Sequence, residues 1–260
     1  MMLYPLISYI KFLIKSTNAH GVHSPFVFDL ISNCFNSKST ENKSDFNEFI
    51  TFKKQLLTNN SIIKITDYGS GSKYFKSNKR RVSDIAKYVG ISNNKAKFLI
   101  KIITYFKPVN ILEIGTSVGL STHLLAKNSS SYVITLEGCK ETLQIAKNNL
   151  SQYNNIKFKL GKFDFTLPKI VESNSFDLIY FDGNHTKEAT LNYFNICLNA
   201  KHNNSIFIFD DIYLNKKMQE AWQEICNHPK VSVSINLYHY GLLFFRKEQA
   251  KQHFYLRTNS

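Results

Sequence analysis

The chain has 260 residues, a formal net charge of +14 and 43% hydrophobic residues. This length suits one well-packed domain with an appendage and is too short for two ordinary domains. The hydrophobic share excludes a disordered chain, and the four scattered cysteines exclude a disulfide framework and a C-x-x-C zinc site. The positive charge is compatible with a nucleic-acid partner, but the lysines are spread thinly along the chain, so such a partner is not favoured.

The N-terminal region is predicted to be helical and rich in aromatic residues. Its first apolar stretch is interrupted by Lys11 and Lys15 and is followed by no small-residue cleavage site, which indicates a docking helix rather than a signal peptide or a membrane span. A second helix is predicted over Pro25–Phe35, with Ser24 as its N-cap and proline at its first position. We expect residues 1–80 to form an extension of a cytoplasmic protein and to cap the acceptor site.

From Val109 onward, apolar runs alternate with helical periodicities, and the sequence ends in a hairpin pattern. Strands are predicted at Val109–Ile114, Tyr132–Glu137, Ile156–Leu160, Phe176–Asp182 and Ser205–Asp210. Helices are predicted at Leu120–Lys127, Lys140–Leu150, Lys187–Asn199 and Lys217–Cys226. Strict alternation predicts that residues 81–260 fold as a parallel sheet covered on both faces, with a ligand at the carboxyl ends of its strands.

Two glycine loops follow apolar runs and compete as the cofactor loop. The stretch DYGSGSKYF begins at Asp67, but polar and cationic residues follow it, and a helix is predicted only from about Ser83. The stretch EIGTSVGLSTHLLA begins at Glu113 and continues directly into a helix, whose free N–H groups would favour a bound ligand. The second loop is therefore the predicted cofactor loop, and the first is explained only as an anion-friendly turn.

The spacing of the second loop limits the cofactor. A dinucleotide fingerprint starting at Gly115 would require glycine or alanine where Ser117 and Leu120 stand, and no P-loop pattern is present. What remains is E-x-G-x-x-x-G, formed by Glu113, Gly115 and Gly119. Glu137 ends the next predicted strand, where a carboxylate can accept hydrogen bonds from both hydroxyls of a ribose. NAD is disfavoured, and an adenosine-containing cofactor fits.

Four stretches in this order, ILEIGTSVGLST, VITLEG, FDLIYFDGNH and SIFIFDDIY, resemble motifs of the class I S-adenosylmethionine-dependent methyltransferases, of the O-methyltransferase type. The resemblance covers about residues 80–248, and NAHGVHSPFVFDLI is similar to a stretch in uncharacterised bacterial relatives. It implies an α/β, Rossmann-like fold with a mostly parallel seven-stranded sheet, a C-terminal antiparallel hairpin and an N-terminal helical extension.

The resemblance implies S-adenosylmethionine as cofactor and a set of residues around it. That set is Glu113, Gly115, Thr116, Ser117, Gly119, Ser121, Glu137, Gly138, Gly161, Phe163 and Asp182. The loop Gly161–Asp164 would pass the adenine.

On the acceptor side, the resemblance implies a site for Mg²⁺ at Asp182, Asp210 and Asp211, because some sugar and catechol O-methyltransferases bind a divalent cation at the matching strand ends. Those sugar-modifying relatives carry D-G-D-H, with a general base where this chain has Asn184. An amide cannot accept the proton, so the predicted catalytic residues are His185 and Asp182. The predicted reaction is O-methylation of a small-molecule or glycan-like hydroxyl.

Two other functions stay open from the sequence. An RNA methyltransferase is suggested by the cationic stretch that follows the first glycine loop, although FDGNH lacks the proline signature of nucleic-acid N-methyltransferases. The stretch contains Lys73, Tyr74, Phe75, Lys76, Lys79, Arg80 and Arg81. A non-catalytic binding module is suggested by Asn184. The sequence leaves a homo-oligomer open as well.

Overall fold

The computed structural model describes residues 3–71 and 74–257. The helices of its N-terminal half are α1 (Leu3–Lys15), α2 (Pro25–Leu30), α3 (Lys43–Leu57), α4 (Val82–Tyr88) and α5 (Asn93–Phe106). A 3₁₀ turn covers Ala19–Gly21, and a π-helical segment, Ile31–Phe35, continues α2. Strands β1 (Ile62–Lys64) and β2 (Lys79–Arg81) form a separate antiparallel hairpin.

The remaining elements alternate and then end in strands. They are β3 (Asn110–Ile114), α6 (Leu120–Leu125), β4 (Tyr132–Glu137), α7 (Lys140–Asn149), β5 (Ile156–Leu160), α8 (Phe163–Val171), β6 (Phe176–Phe181), α9 (Lys187–Cys197), β7 (Lys201–Asp210), α10 (Lys216–Asn227), β8 (Val233–Asn236), β9 (Tyr240–Phe244) and β10 (Gln252–Tyr255). The predicted helix start at Ser24 is confirmed, since the Ser24 side chain accepts a hydrogen bond from the Val27 N–H.

The main sheet has the strand order β10-β8-β9-β7-β6-β3-β4-β5. Strands β7, β6, β3, β4 and β5 run parallel, and β9 pairs antiparallel with both β7 and β8. The predicted α/β, Rossmann-like class is confirmed. The sheet has one strand more than predicted, because β10 adds to its edge beside β8. This strand is short and partly polar, so it carries little periodic signal.

One predicted loop is the start of a helix. Residues Gly161–Asp164 were expected to form a connection, but α8 begins at Phe163, directly after its N-cap residue Lys162. Pro168 lies inside this helix. Proline in a sequence ordinarily indicates the end of a helix, which is why the helical pattern was missed.

Helices cover both faces of the sheet. On one face, α8, α9 and α10 pack against sheet residues such as Leu112 and Phe207. On the other face, one hydrophobic cluster joins Val27 of α2 and Phe49 of α3 to Ile111 of β3. The helical N-terminal region therefore shares a core with the sheet instead of forming a core of its own.

Helix α1 packs near the C-terminal edge of the sheet. Tyr4 Oη donates to Gln219 Oε1 at 2.9 Å, and the ring of Phe12 lies 5.6 Å from that of Tyr238. Of the apolar residues in this predicted docking helix, Phe12 is buried, whereas Leu6, Ile7, Ile10 and Ile14 are exposed. Across residues 3–71 and 74–257, no helix has the length and apolar character needed to cross a membrane.

Gly241 on β9 gives a direct test of this packing. A Cβ added there would lie 2.5 Å from the ring of Trp222, which is the only tryptophan of the chain. Because overpacking forces neighbouring groups apart, Gly241→Ala should lower the free energy of unfolding by about 2 kcal/mol and shift the tryptophan emission. Urea unfolding followed by fluorescence measures both. Gly71→Ala, whose added Cβ meets nothing within 4 Å, should leave the emission unchanged.

Candidate functional site

The carboxyl ends of four neighbouring strands form the candidate site. In the sheet register, Ile114 at the end of β3 pairs with Leu136 of β4 and with Phe181 of β6, and Phe181 pairs with Phe209 of β7. The next residues along these strands therefore lie side by side at one edge of the sheet. These residues are Gly115, Glu137, Asp182 and Asp210. The convergence expected from the alternating pattern is present in the fold.

The turn after β3 requires glycine. Gly115 has a φ of +113°, and a Cβ added there would lie 2.3 Å from the carbonyl oxygen of Asp182. In return, the Asp182 N–H donates to the Ile114 carbonyl at 3.0 Å. The backbones after β3 and β6 are therefore in direct contact.

Glu113 lies fully buried beneath this turn. Its Oε2 accepts hydrogen bonds from Thr122 Oγ1 at 2.5 Å and from Thr135 Oγ1 at 2.6 Å, whereas its Oε1 has no partner among the described residues. Burial raises the pKa of Glu113 to about 7, against the lowering effect of the nearby hydroxyls of Ser121, Thr122 and Thr135. A buried carboxylate oxygen without a partner is costly, and a cationic or N–H-bearing group would satisfy it.

Glu137 lies half-buried at the end of β4. Its Oε2 accepts from the Ser117 N–H at 2.8 Å and its Oε1 from the Cys139 N–H at 2.9 Å. Burial raises the pKa of Glu137 despite these backbone hydrogen bonds. A carboxylate offers about four acceptor positions, so about two remain for hydroxyl groups of a ligand.

Other predicted cofactor residues lie in the segments that follow β3 and β5. Thr116 is fully buried, and its Oγ1 lies 2.5 Å from Thr135 Oγ1. Gly119 has a φ of +91° and lets α6 approach Leu150, since an added Cβ would lie 2.8 Å from that side chain. The Gly161 N–H donates to the Glu137 carbonyl at 2.9 Å, and the Phe163 ring leaves no room for a Cβ on Gly183.

The described first part of the DYGSGSKYF stretch, Asp67–Gly71, lies beside these strand ends. A Cβ on Gly138 would lie 2.8 Å from the Tyr68 ring, so Tyr68 lies against the turn after β4. The Ser70 N–H donates to the Asn184 carbonyl at 2.9 Å, in the turn after β6. Ser72 and Lys73 lie outside the described residues. The first glycine loop thus bridges the turns after β4 and β6.

Asn184 connects this loop to the sheet. Its backbone is left-handed, with a φ of 70°. Its Nδ2 donates to Tyr193 Oη at 3.2 Å and to the Tyr68 carbonyl at 3.4 Å, while its Oδ1 accepts from Thr186 Oγ1 at 3.0 Å. A carboxylate could not donate these hydrogen bonds, so an amide at this position has a structural reason.

His185 and Asp182, the two predicted catalytic residues, lie together. His185 Nε2 is 3.5 Å from Asp182 Oδ1. Burial lowers the pKa of His185, but its hydrogen bond to Asp182 and the negative charges of Asp182, Asp211 and Asp210 outweigh burial and raise it. The imidazole is therefore held as a base of increased proton affinity.

Asp210 and Asp211 bind a residue that sequence analysis missed. Lys95 Nζ donates to Asp210 Oδ1 at 2.5 Å and to Asp211 Oδ1 at 2.7 Å. Lys95 lies in the first turn of α5, in a polar stretch, SNNKAKF, that resembles an ordinary helix start. No local pattern distinguishes it from the many exposed lysines of the chain.

The three aspartates do not fit a divalent cation as they stand. The Lys95 ammonium fills the space between Asp210 and Asp211, and a cation in the same place would meet a like charge. Within the described ranges, no group of three or more His, Cys, Asp or Glu side chains is arranged to hold a metal. The carboxylates of Asp210 and Asp211 thus already have a cationic partner from the chain itself, Lys95.

The basic stretch after the first glycine loop is partly engaged within the protein. Arg80 lies 3.3 Å from Asp67 and stacks over the Phe75 ring at 4.9 Å. Lys76, Lys79 and Arg81 are exposed. Of this stretch, Lys73 lies outside the residues that the structure describes.

Comparison with known proteins agrees with this geometry. Residues 112–212 match the family model of a methyltransferase domain. A catechol O-methyltransferase from Niastella koreensis is 27% identical over 137 residues, which cover 50% of this chain and 61% of that protein. The chain therefore spans less than two thirds of that relative.

Solved structures share the fold. An O-methyltransferase from Bacillus cereus in complex with SAH has a TM-score of 0.53 at 19% identity, over 83% of this chain and 94% of that one. The O-methyltransferase TomG from Streptomyces achromogenes, in complex with SAM, has a TM-score of 0.54 at 18% identity, over 61% of this chain and 82% of that one. Together, these similarities confirm the predicted resemblance to the class I S-adenosylmethionine-dependent methyltransferases.

Glu113 should make the stability of the protein depend on pH. Its pKa is about 7 in the folded chain and near 4.5 ordinarily, so the folded state holds this proton more tightly between those values. Its contribution to stability is fully present below pH 4.5 and falls by about 3 kcal/mol as the pH rises to 7.

Glu113→Gln should remove this contribution, since an amide does not titrate in that range. Urea unfolding at pH 5 and pH 7.5 should show a smaller difference between the two pH values for the variant than for the unsubstituted protein. Equal differences would contradict the assignment. Glu141→Gln, on the exposed start of α7, serves as the control and should behave like the unsubstituted protein.

Proposed function

We propose that this protein is an S-adenosylmethionine-dependent O-methyltransferase that acts on a small-molecule or glycan-like hydroxyl. The observation that carries the proposal is the unpartnered buried oxygen of Glu113, close to a glycine turn and to a second carboxylate, Glu137. One carboxylate suits the ammonium of the methionine part, and the other suits the two ribose hydroxyls.

Other residues at the same edge of the sheet would make the remaining contacts with the cofactor. Gly115 and Ser117 border the methionine part, and the turn at Gly138 lies next to the ribose. The loop that carries Tyr68 covers this turn, so it shields the bound cofactor from water. Gly161 and Phe163 border the adenine. The similarity to SAM- and SAH-bound methyltransferases supports this choice of cofactor.

The chemistry proposed is transfer of a methyl group to an acceptor oxygen. When bound, S-adenosylmethionine supplies an electrophilic methyl group on a sulfonium. Held by Glu113 and Glu137, the cofactor would supply the methyl group and keep the C–S electrons on its sulfur. His185 would accept the proton of the acceptor hydroxyl as that oxygen becomes the nucleophile. Asp182 orients the imidazole and stabilises the charge that it gains.

The acceptor is expected on the side of β7, away from Glu137. Tyr238 and Tyr213 stack there at 4.9 Å, next to the loop of Asp211, and α1 contacts Tyr238 through Tyr9 and Phe12. This arrangement supports the proposal that the N-terminal extension caps the acceptor site.

Because the curated relative is a catechol O-methyltransferase, catechols are the first acceptors to test. In the basic stretch Arg80 is paired internally, whereas Lys76, Lys79 and Arg81 are exposed, and no contact among the described residues favours RNA over a small acceptor.

The cofactor proposal is tested by calorimetry with S-adenosylmethionine and S-adenosylhomocysteine. Glu137→Gln keeps the side-chain shape but removes its charge, and it should weaken binding by about tenfold to a hundredfold. Glu141→Gln, at a glutamate four positions away on the surface, should leave binding unchanged. Absence of binding to the unsubstituted protein would sink the proposal.

The role of His185 is tested by turnover on a catechol acceptor. His185→Gln should lower kcat by about a hundredfold or more with little change in KM, because the acceptor loses its base. In the unsubstituted protein, kcat should rise with pH through the raised pKa of His185, and the variant should lack that rise. The exposed His20 offers a control in His20→Gln. Cofactor binding without turnover on any hydroxyl acceptor would favour a non-catalytic module.

A further inference from the structure

The two carboxylates at the end of β7 hold a cation that belongs to the chain. Lys95 Nζ lies 2.5 Å from Asp210 and 2.7 Å from Asp211, and 5.5 Å from the centre of the Tyr240 ring. The Lys95 side chain is 17% exposed, and that of Asp210 is 7% exposed. Charged groups that are this far removed from water are stable only beside close partners of opposite charge. The Lys95 ammonium is therefore a fixed part of the site.

The backbone of Lys95 is fixed as well. The Ser92 side chain accepts a hydrogen bond from the Lys95 N–H at 3.3 Å, which caps α5. Tyr240 Oη donates to the Lys95 carbonyl at 3.4 Å, and the Tyr240 ring stacks on Phe98 at 4.8 Å. Because α5 is tied to β9 in this way, Lys95 reaches the end of β7 from a rigid position.

The ammonium and a divalent cation would compete for the same oxygens. Mg²⁺ requires about six oxygen ligands at roughly 2.0–2.1 Å, whereas Lys95 takes one oxygen from each aspartate. The Lys95 ammonium already lies within hydrogen-bond distance of both carboxylates, and its positive charge repels a second cation.

We propose that the Lys95 ammonium takes the place of a divalent metal in this site: it excludes the metal and donates a hydrogen bond to the acceptor oxygen. An ammonium has three N–H groups, and two of them donate to Asp210 and Asp211. In the part of the chain that the structure describes, the third has no protein acceptor. The exclusion of metal stands on geometry alone, whereas the contact with the acceptor rests on the proposed function.

The consequence for the reaction is electrostatic. As His185 takes the proton of the acceptor hydroxyl, negative charge develops on the acceptor oxygen, and the Lys95 N–H stabilises it. Lys95 keeps its own proton throughout. Methyl transfer should therefore be insensitive to EDTA and need no added metal.

The metal exclusion is tested with Mn²⁺, followed by electron paramagnetic resonance. The unsubstituted protein should show no binding specific to this site. Lys95→Ala frees two carboxylates and should bind Mn²⁺ at least about tenfold more tightly, and Asp211→Asn added to it should abolish the gain. Lys97→Ala, on the exposed side of the same helix, should behave like the unsubstituted protein.

A thermal melt gives a second measure if Lys95→Ala is unstable. Mn²⁺ should raise the melting temperature of this variant but not that of the unsubstituted protein. Tight Mn²⁺ binding to the unsubstituted protein that Asp211→Asn removes would overturn the inference. None of the Mn²⁺ measurements depends on cofactor binding, so the metal exclusion and the proposed function can fail separately.

The contact with the acceptor is tested with 4-nitrocatechol, whose absorbance reports its ionisation. With S-adenosylhomocysteine present, the bound probe should ionise about one pH unit lower than the free probe. Lys95→Ala should lose this shift and Lys97→Ala should keep it. An absent shift, or the same shift in Lys95→Ala, would overturn the contact between Lys95 and the acceptor oxygen.

Discussion

The contact between Gly115 and the Asp182 carbonyl is the constraint on which the candidate site depends. Glycine permits this close approach of the backbones after β3 and β6, since a Cβ on Gly115 would lie 2.3 Å from that oxygen. The parallel register then places Glu137 on one side of the glycine turn and the aspartates of β7 on the other. The proposed cofactor half and the proposed acceptor half of the site thus lie on either side of this close approach, along one sheet edge.

Charge is distributed unevenly along that edge. On the cofactor half, Glu113 has an oxygen without a partner, and burial raises its pKa, so it gains from a cationic ligand. On the acceptor half, three carboxylates are balanced by Lys95 and by His185, whose pKa they raise. Under the proposed function, methyl transfer to an oxygen would use both halves. Carboxylates would hold a cationic cofactor on one side, and His185 would act as a base beside the fixed positive charge of Lys95 on the other.

The DYGSGSKYF loop shows how a motif can mislead when its context is missing. Two glycines after an apolar run made this stretch a competing candidate for the cofactor loop, yet Tyr68 and Ser70 contact the turns after β4 and β6. Asn184, which stands where related proteins have a base, donates to this loop and to Tyr193. Position in the fold explains both features: the loop packs against the turns after β4 and β6, and the Asn184 amide holds it there by a hydrogen bond to the Tyr68 carbonyl.

By itself, the sequence determined the alternating strands and helices of the sheet, the glycine turn and the carboxylates at strand ends, because periodicity and local turn chemistry are properties of neighbouring residues. It also determined the helix start at Ser24 and Pro25. Only the tertiary structure decided the partner of Asp210 and Asp211, because Lys95 comes from a distant helix whose local sequence resembles any other helix start. Helix α8 and strand β10 were missed because a proline and a short polar run conceal them, and packing against the sheet overrides those weak local signals.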